Sequence, residues 1–279
     1  MRFWPSLTLP AVAAAALLSA SAAASGLVAE RIDVRGPILD PEAEFWHDVE
    51  PMTVPLLPQN MAIPFHLEPA VTEIHVRAVH NGAWIGVLLE WRDETLDWIF
   101  TTDTYGDQVA IQFPVETDPL PAPMMGHPGG AVNVLQWRAA FQRDLEAGPL
   151  DILDLYPHAL IDLYPDQVMA LVDTLAYAGA IGVDNPVARP DASPVLDMVA
   201  MGWGTTTVKP KQHGDGYGVW RDGVWRVVIT SPLERLVDWD PDLVPGGSSM
   251  IAFAVWDGSA HEVGGRKSWA PWVPMHLAE

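Results

Sequence analysis

Two short stretches of this 279-residue chain combine residue types that could bind a metal. The first, "PLPAPMMGHPGG" (119–130), is a Pro/Gly-rich loop presenting Met124, Met125 and His127. The second, "GGRKSWAPW" (264–272), places Lys267, one of three lysines in the chain, between a Gly-Gly pair and Trp269 and Trp272. Taken singly, a loop methionine reads as a hydrophobic plug and a lone lysine as a solvated charge. Taken together, the two stretches offer a thioether on one side and an amine on the other of a haem iron. Thioether sulfur is a soft ligand that favours reduced iron and raises its potential. An amine binds a metal only when neutral, so its proton must leave; burial lowers a lysine pKa and a cationic metal lowers it further. An apolar, Trp-rich pocket with few carboxylates would meet both demands.

Other chemistries leave no comparable mark. The chain has no G-x-S-x-G elbow, no His-Glu-x-x-His pair, no P-loop and no G-x-G-x-x-G between a strand and a helix. "GDGYG" leads into a strand and reads as a turn, and the nine histidines are scattered. With no cysteine there can be no disulfide, thiolate zinc, Cys-ligated iron–sulfur cluster or covalent c-type haem. The formal net charge is −21, which argues against nucleic acid and anionic membrane as partners and is compatible with a basic soluble one.

The elements that must position these residues are mostly strands. Residues 1–25, with Arg2 as the only charge, then "LTLPAVAAAALLSA" and a run of small residues, read as a secretory signal. Its removal takes the charge from −21 to −22, and no later segment is long and apolar enough to span a membrane. Residues 31–60 carry too many prolines for a long helix and suit short edge strands and extended loop. Alternation of apolar and polar residues predicts strands over 74–79 and 84–91 joined at Asn81-Gly82, then over 107–115 and 131–139. A further hairpin turns at Arg221-Asp222-Gly223, and "SSMIAFAVWDG" reads as a last core strand. Residues 144–200, with Asp-Leu-Tyr-Pro twice, read as an insertion of loops with one helix near 166–178. The expectation is a mainly β chain, an antiparallel β-sandwich in a single domain over 26–279.

At these residues the chain resembles the haem b (gamma) subunit of type II dimethylsulfoxide-reductase-family molybdoenzymes, such as ethylbenzene dehydrogenase, dimethylsulfide dehydrogenase, chlorate reductase and selenate reductase. The resemblance runs, in order, through "FWHDVEPMTVPLLPQ", "VRAVHNGAWIGVLLEWRDETLD", "AIQFP", "PMMGHPGGAVNVLQWRA", "GWGTTT", "GVWRDGVWRVVITSPL" and "FAVWDGSAHEVGGRKSWAPW". It implies a sandwich binding one non-covalent haem b, with Met125 (Met124 as fallback) and Lys267 as axial ligands. Lys209 and Lys211 are rivals, in a polar loop where a solvated amine is the easier reading. "TSPL" has serine where the family has arginine, which removes a propionate or partner contact; Arg266 is the candidate to serve a propionate instead, a solvent-facing arginine being the equal alternative. Trp137, Trp203 and Trp256 are candidates for pocket wall. The resemblance further implies a periplasmic electron-transfer role beside a molybdopterin catalytic subunit and an iron–sulfur subunit, exchanging electrons with a soluble periplasmic cytochrome or similar carrier. The alternative is a haem-free, carbohydrate-binding-like sandwich in which the thirteen tryptophans stack on sugars and acidic loops hold calcium.

Overall fold

The strands of the computed structural model follow the turn signals closely. It describes residues 26–61, 63–150, 152–160, 185–188 and 193–279. The secretory reading of residues 1–25 and the helix expected near 166–178 lie outside the described residues. The first strands are β1 (Leu27–Arg31), β2 (Met52–Pro55), β3 (Leu57–Pro58), β4 (Glu73–His80), β5 (Trp84–Arg92), β6 (Gln108–Pro114) and β7 (Val132–Arg138). Two helices follow, α1 (Ala139–Ala147) and α2 (Ile152–Leu155). The remaining strands are β8 (Val195–Ala200), β9 (Thr207–Val208), β10 (Asp215–Arg221), β11 (Val224–Pro232), β12 (Ser248–Trp256) and β13 (Ser268–Leu277).

The strands form one continuous sheet in the order β10-β11-β5-β4-β1-β13-β12-β6-β7-β8-β9, with β2 beside β4 and β3 beside β13. The β4–β5 turn is fixed by Asn81, whose Oδ1 accepts the N–H groups of Ala83 and Trp84. The β10–β11 turn consists of Asp222 and Gly223, both at positive φ, as a two-residue hairpin matching strand twist requires.

The sheet folds over so that alternate residues of its two halves meet. Ile74, Val76, Val87, Leu89, Val227 and Ile229 from one half share a core with Val109, Ile111, Phe113, Leu135, Ile251 and Val255 from the other. Trp225 stacks on Trp91 and meets Trp137 edge-on, with ring centroids 6.1 and 5.0 Å apart. Trp137 lies so close over β10 that a Cβ on Gly218 would sit 2.5 Å from its ring. This period-2 division of each strand, one face inward and one outward, makes the sandwich.

Three expectations need correction. β1 pairs in parallel with both β4 and β13, so the sheet is not wholly antiparallel. The segment 144–200 is not all insertion: α1 begins at Ala139, and β8 pairs with β7 inside the sheet. Nor is β12 the last core strand, because β13 follows it and carries buried Ala270, Met275 and Leu277.

Candidate functional site

The outward faces of β6, β7, β8 and β12 build a second, smaller apolar surface from Ala110, Val134, Met198, Ala254 and Trp256. Small side chains on neighbouring strands leave room above the sheet. A cavity of about 490 Å³ results, within the range of a small-molecule or cofactor pocket. The loop 119–130 closes one side and the segment 263–270 the other. Gln108, Gln112, Gln136 and Arg138 add polar atoms to the wall.

Three bonds hold the methionine loop. Gln112 Nε2 donates to Pro123 O at 2.9 Å, Trp272 Nε1 donates to Pro121 O at 2.7 Å, and Gly202 N–H donates to Met125 O at 2.7 Å. Trp272 reaches the loop from an irregularity in the β12–β13 ladder between Ile251 and Phe253, where Pro271 and Trp272 lie opposite Ala252 alone. Met125 itself has φ +65°, an uncommon conformation for a non-glycine residue. The next residue, at φ +71°, must be glycine: a Cβ on Gly126 would lie 2.4 Å from Gly130 O. His127 does not line the cavity; its Nδ1 lies 3.0 Å from Pro128 O, and its ring packs over Gly130.

Lys267 lies opposite. Its Nζ is 3.9 Å from Met125 Sδ and 5.1 Å from the Trp256 ring centroid. No carboxylate pairs with it among the described residues. Burial pushes its pKa down to about 8. Gln59 Nε2 and Trp256 Nε1 donate to the carbonyls of Gly265 and Gly264, which fixes the approach to the lysine.

The structure therefore brings Met125, Met124, Trp256, Trp203 and Lys267 to one cavity. It does not bring Trp137 or Arg266. Trp137 faces the inner core, its Nε1 bonded to Gln142 Oε1. Arg266 turns away from its neighbour Lys267 and lies over the Tyr105 ring, 5.9 Å from the centroid. Arg138, one residue beyond Trp137 and hence on the opposite face, lines the cavity instead. Its Nε is buried without a hydrogen-bond partner, and burial lowers the arginine's pKa. Lys209 is also corrected. It is not solvated but 3% exposed, with Nζ 2.7 Å from Asp197 and 2.5 Å from Asp240. Lys211 is exposed.

The donor set was compared with the group the resemblance implies. A thioether and an amine face each other across an apolar space. Laid end to end, zinc's bonds to nitrogen and sulfur span about 4.3 Å. A separation of 3.9 Å therefore suits one first-row metal ion between them, with a slight opening. The orphaned Arg138 Nε suits an anionic group. On both counts these residues fit a haem and its carboxylates.

Comparison with known proteins bears on the same residues. Residues 43–154 match the family model described as ethylbenzene dehydrogenase. The chlorate reductase gamma subunit of Ideonella dechloratans is 26% identical over 268 residues, covering 91% of this chain and 89% of that protein. The chain is thus similar to a molybdoenzyme-type gamma subunit over most of its length. A second relative, assigned as a respiratory nitrate reductase haem subunit of Haloferax mediterranei, is 23% identical over 233 residues, or 83% of this chain and 66% of that one. Among solved structures, a family 9 carbohydrate-binding module from Caldicellulosiruptor kristjanssonii in complex with glucose aligns with 88% of this chain and 94% of its own, at 12% identity and TM-score 0.41. A carbohydrate-binding protein from Bacteroides uniformis aligns with 91% and 100%, at 8% identity and TM-score 0.47. Among the described residues no helix is long and apolar enough to cross a membrane.

Proposed function

We propose that this chain is an exported, periplasmic b-type cytochrome subunit. It would pass electrons between a molybdenum and iron–sulfur oxidoreductase complex and a soluble carrier. The observation that carries the reading is the Met125 thioether set 3.9 Å from the Lys267 amine across an apolar cavity. The haem-subunit relative supports the cofactor class, and the gamma-subunit relative supports a larger complex.

In this reading Met125 and Lys267 would ligate the haem iron, and Arg138 would hold a haem carboxylate. Bound here, the haem supplies a one-electron iron couple. The protein sets the potential of that couple through ligand type and burial. Met125 favours the reduced state. Lys267 must give up its proton to bind, and burial has already brought its pKa near 8. Trp256, Trp269 and the Ala110–Ala254 floor exclude water from the ligands. Trp203, 53% exposed at the cavity, leaves an edge open to a partner.

The first test is an absorption spectrum of the exported protein, oxidised and dithionite-reduced, with a pyridine haemochrome assay. About one b-type haem per chain with a low-spin spectrum is the expected result. A protein that stays colourless when haem is supplied would sink the proposal and return attention to glycans. Met125→Ala should then lower the midpoint potential by on the order of 100 mV, within the ~0.8 V that axial ligation spans, or open the iron to carbon monoxide. Met124→Ala should do neither; if it behaves as Met125→Ala was expected to, the ligand choice is wrong.

A further inference from the structure

Two groups of acidic side chains lie outside the haem cavity, and they differ in one respect. In Asp197, His213 and Asp240 the candidate ligand atoms lie within 4.8 Å of one another, and Lys209 Nζ supplies the counter-charge. In Asp93, Asp107 and Asp257 one carboxylate oxygen from each lies within the same 4.8 Å, but no lysine, arginine or histidine pairs with them among the described residues.

These three residues come from three chain segments: Asp93 follows β5, Asp107 precedes β6 and Asp257 follows β12. Asp93 is 4% exposed and Asp107 is 0% exposed, so neither charge is dispersed by water. Asp107 accepts N–H bonds from Gly258, Asp97 and Trp225. Asp93 Oδ1 accepts the N–H and hydroxyl of Thr95. Asp93 Oδ2 is buried and has no hydrogen-bond partner. A carboxylate offers about four acceptor positions, so acceptor capacity is left on both buried groups. Asp93 thus brings to a cluster of three carboxylates a buried oxygen without a partner, and this distinguishes the group from an ordinary acidic surface.

The spacing fits a particular occupant. Calcium binds oxygens at about 2.3–2.6 Å, so two of its ligands lie at most about 5.2 Å apart, and oxygens that all lie within 4.8 Å of one another can share one ion. An all-oxygen, triply acidic set selects a hard divalent cation over zinc or copper. We propose that Asp93, Asp107 and Asp257 bind one Ca²⁺ ion, which ties the ends of β5, β6 and β12 together beside the haem cavity. The rival occupant is a proton. Without a cation, burial first and the neighbouring carboxylates second push Asp93 up to about 6 and Asp107 up to about 8.

The test uses the full exported chain, stripped with EDTA and exchanged into metal-free buffer at pH 7. Equilibrium dialysis against CaCl₂ followed by elemental analysis should find one Ca²⁺ per chain. At a hundredfold excess over Kd, Tm should rise by roughly 5–10 °C. NaCl at matched ionic strength should not reproduce the rise. Asp257→Asn, at the partly exposed member, should abolish both retention and the rise. No retained calcium and no rise in the wild-type protein at 10 mM CaCl₂ would overturn the proposal, as would an equal rise with NaCl. An Asp257→Asn protein that responds like the wild type would also overturn it. If that variant does not fold, the wild-type dialysis and melting still decide.

Discussion

Lys267→Ala is expected to abolish the low-spin spectrum of the haem-loaded protein. The variant removes the one amine, among the described residues, that faces Met125 Sδ and leaves Gln59, Met61, Trp256 and glycine backbone in the cavity wall near it. None of these supplies a second amine, so the Met/Lys low-spin signature should disappear, with the iron turning high-spin or the haem being lost. The effect should be near complete because the site holds no substitute: Lys209 is locked between two carboxylates and Lys211 is exposed. Lys267→Arg should fail in the same way despite keeping the charge, since a guanidinium does not deprotonate in proteins. The pKa explains why a lysine can serve here. At pH 7 an amine titrating near 8 must give up a factor of about 10 to become neutral, whereas one at the ordinary 10.5 must give up more than 10³. Absorption and electron paramagnetic resonance spectra of oxidised protein measure the outcome. An unchanged low-spin spectrum in Lys267→Ala would remove this lysine from the metal.

Much of the site was legible because its signals are local. Lys267 stood out by its company of glycine and tryptophan, and Met125 by the adjacent Gly126, which the φ of +71° and the 2.4 Å approach to Gly130 O require. The hairpins at Asn81-Gly82 and Asp222-Gly223 were legible for the same reason.

What failed depended on distance in sequence or on a single step of strand parity. Trp137 and Arg138 are neighbours, and the alternation of a strand sends one to the core and the other to the cavity. The same reasoning could have found Gln108, Ala110 and Gln112 as one face of β6. Arg266 and Lys267 diverge because Tyr105, distant in sequence, offers the arginine a ring. The parallel pairing of β1 joins residues 27–31 to 73–80 and 268–277, and nothing near β1 announces either partner. Lys209 looked solvated because its neighbours are Pro210, Lys211 and Gln212. Its counter-charges, Asp197 and Asp240, are 12 and 31 positions away.

Lys209 carries the second large expected effect, and it acts on stability rather than on the spectrum. The ammonium sits between Asp197, 2.7 Å away, and Asp240, 2.5 Å away, with all three side chains largely buried. Asp197 is further held by Asn133 Nδ2, and Asp240 by the N–H groups of Leu236 and Val237. Removing one member of such a group costs about 3–5 kcal/mol, because it leaves uncompensated buried charge. Lys209→Ala should therefore lower Tm by roughly 6–20 °C. The pH dependence has a definite sign. Burial alone pushes both carboxylates up; in the intact protein Asp197 stays raised, while Lys209 and backbone bonds bring Asp240 below its ordinary value. Without the ammonium, both folded-state values rise above the unfolded ones. Stability contributed by a raised carboxyl is present at low pH and lost as pH rises through the folded value. The Tm deficit of Lys209→Ala relative to wild type should thus be larger at pH 8 than at pH 5. Its low-spin spectrum should be unchanged wherever the protein is folded, because Lys209 does not line the cavity of Met125 and Lys267. A Lys209→Ala protein that melts like wild type at both pH values would refute the buried triad. One that loses the low-spin spectrum while still folded would move the iron ligand from Lys267 to this loop.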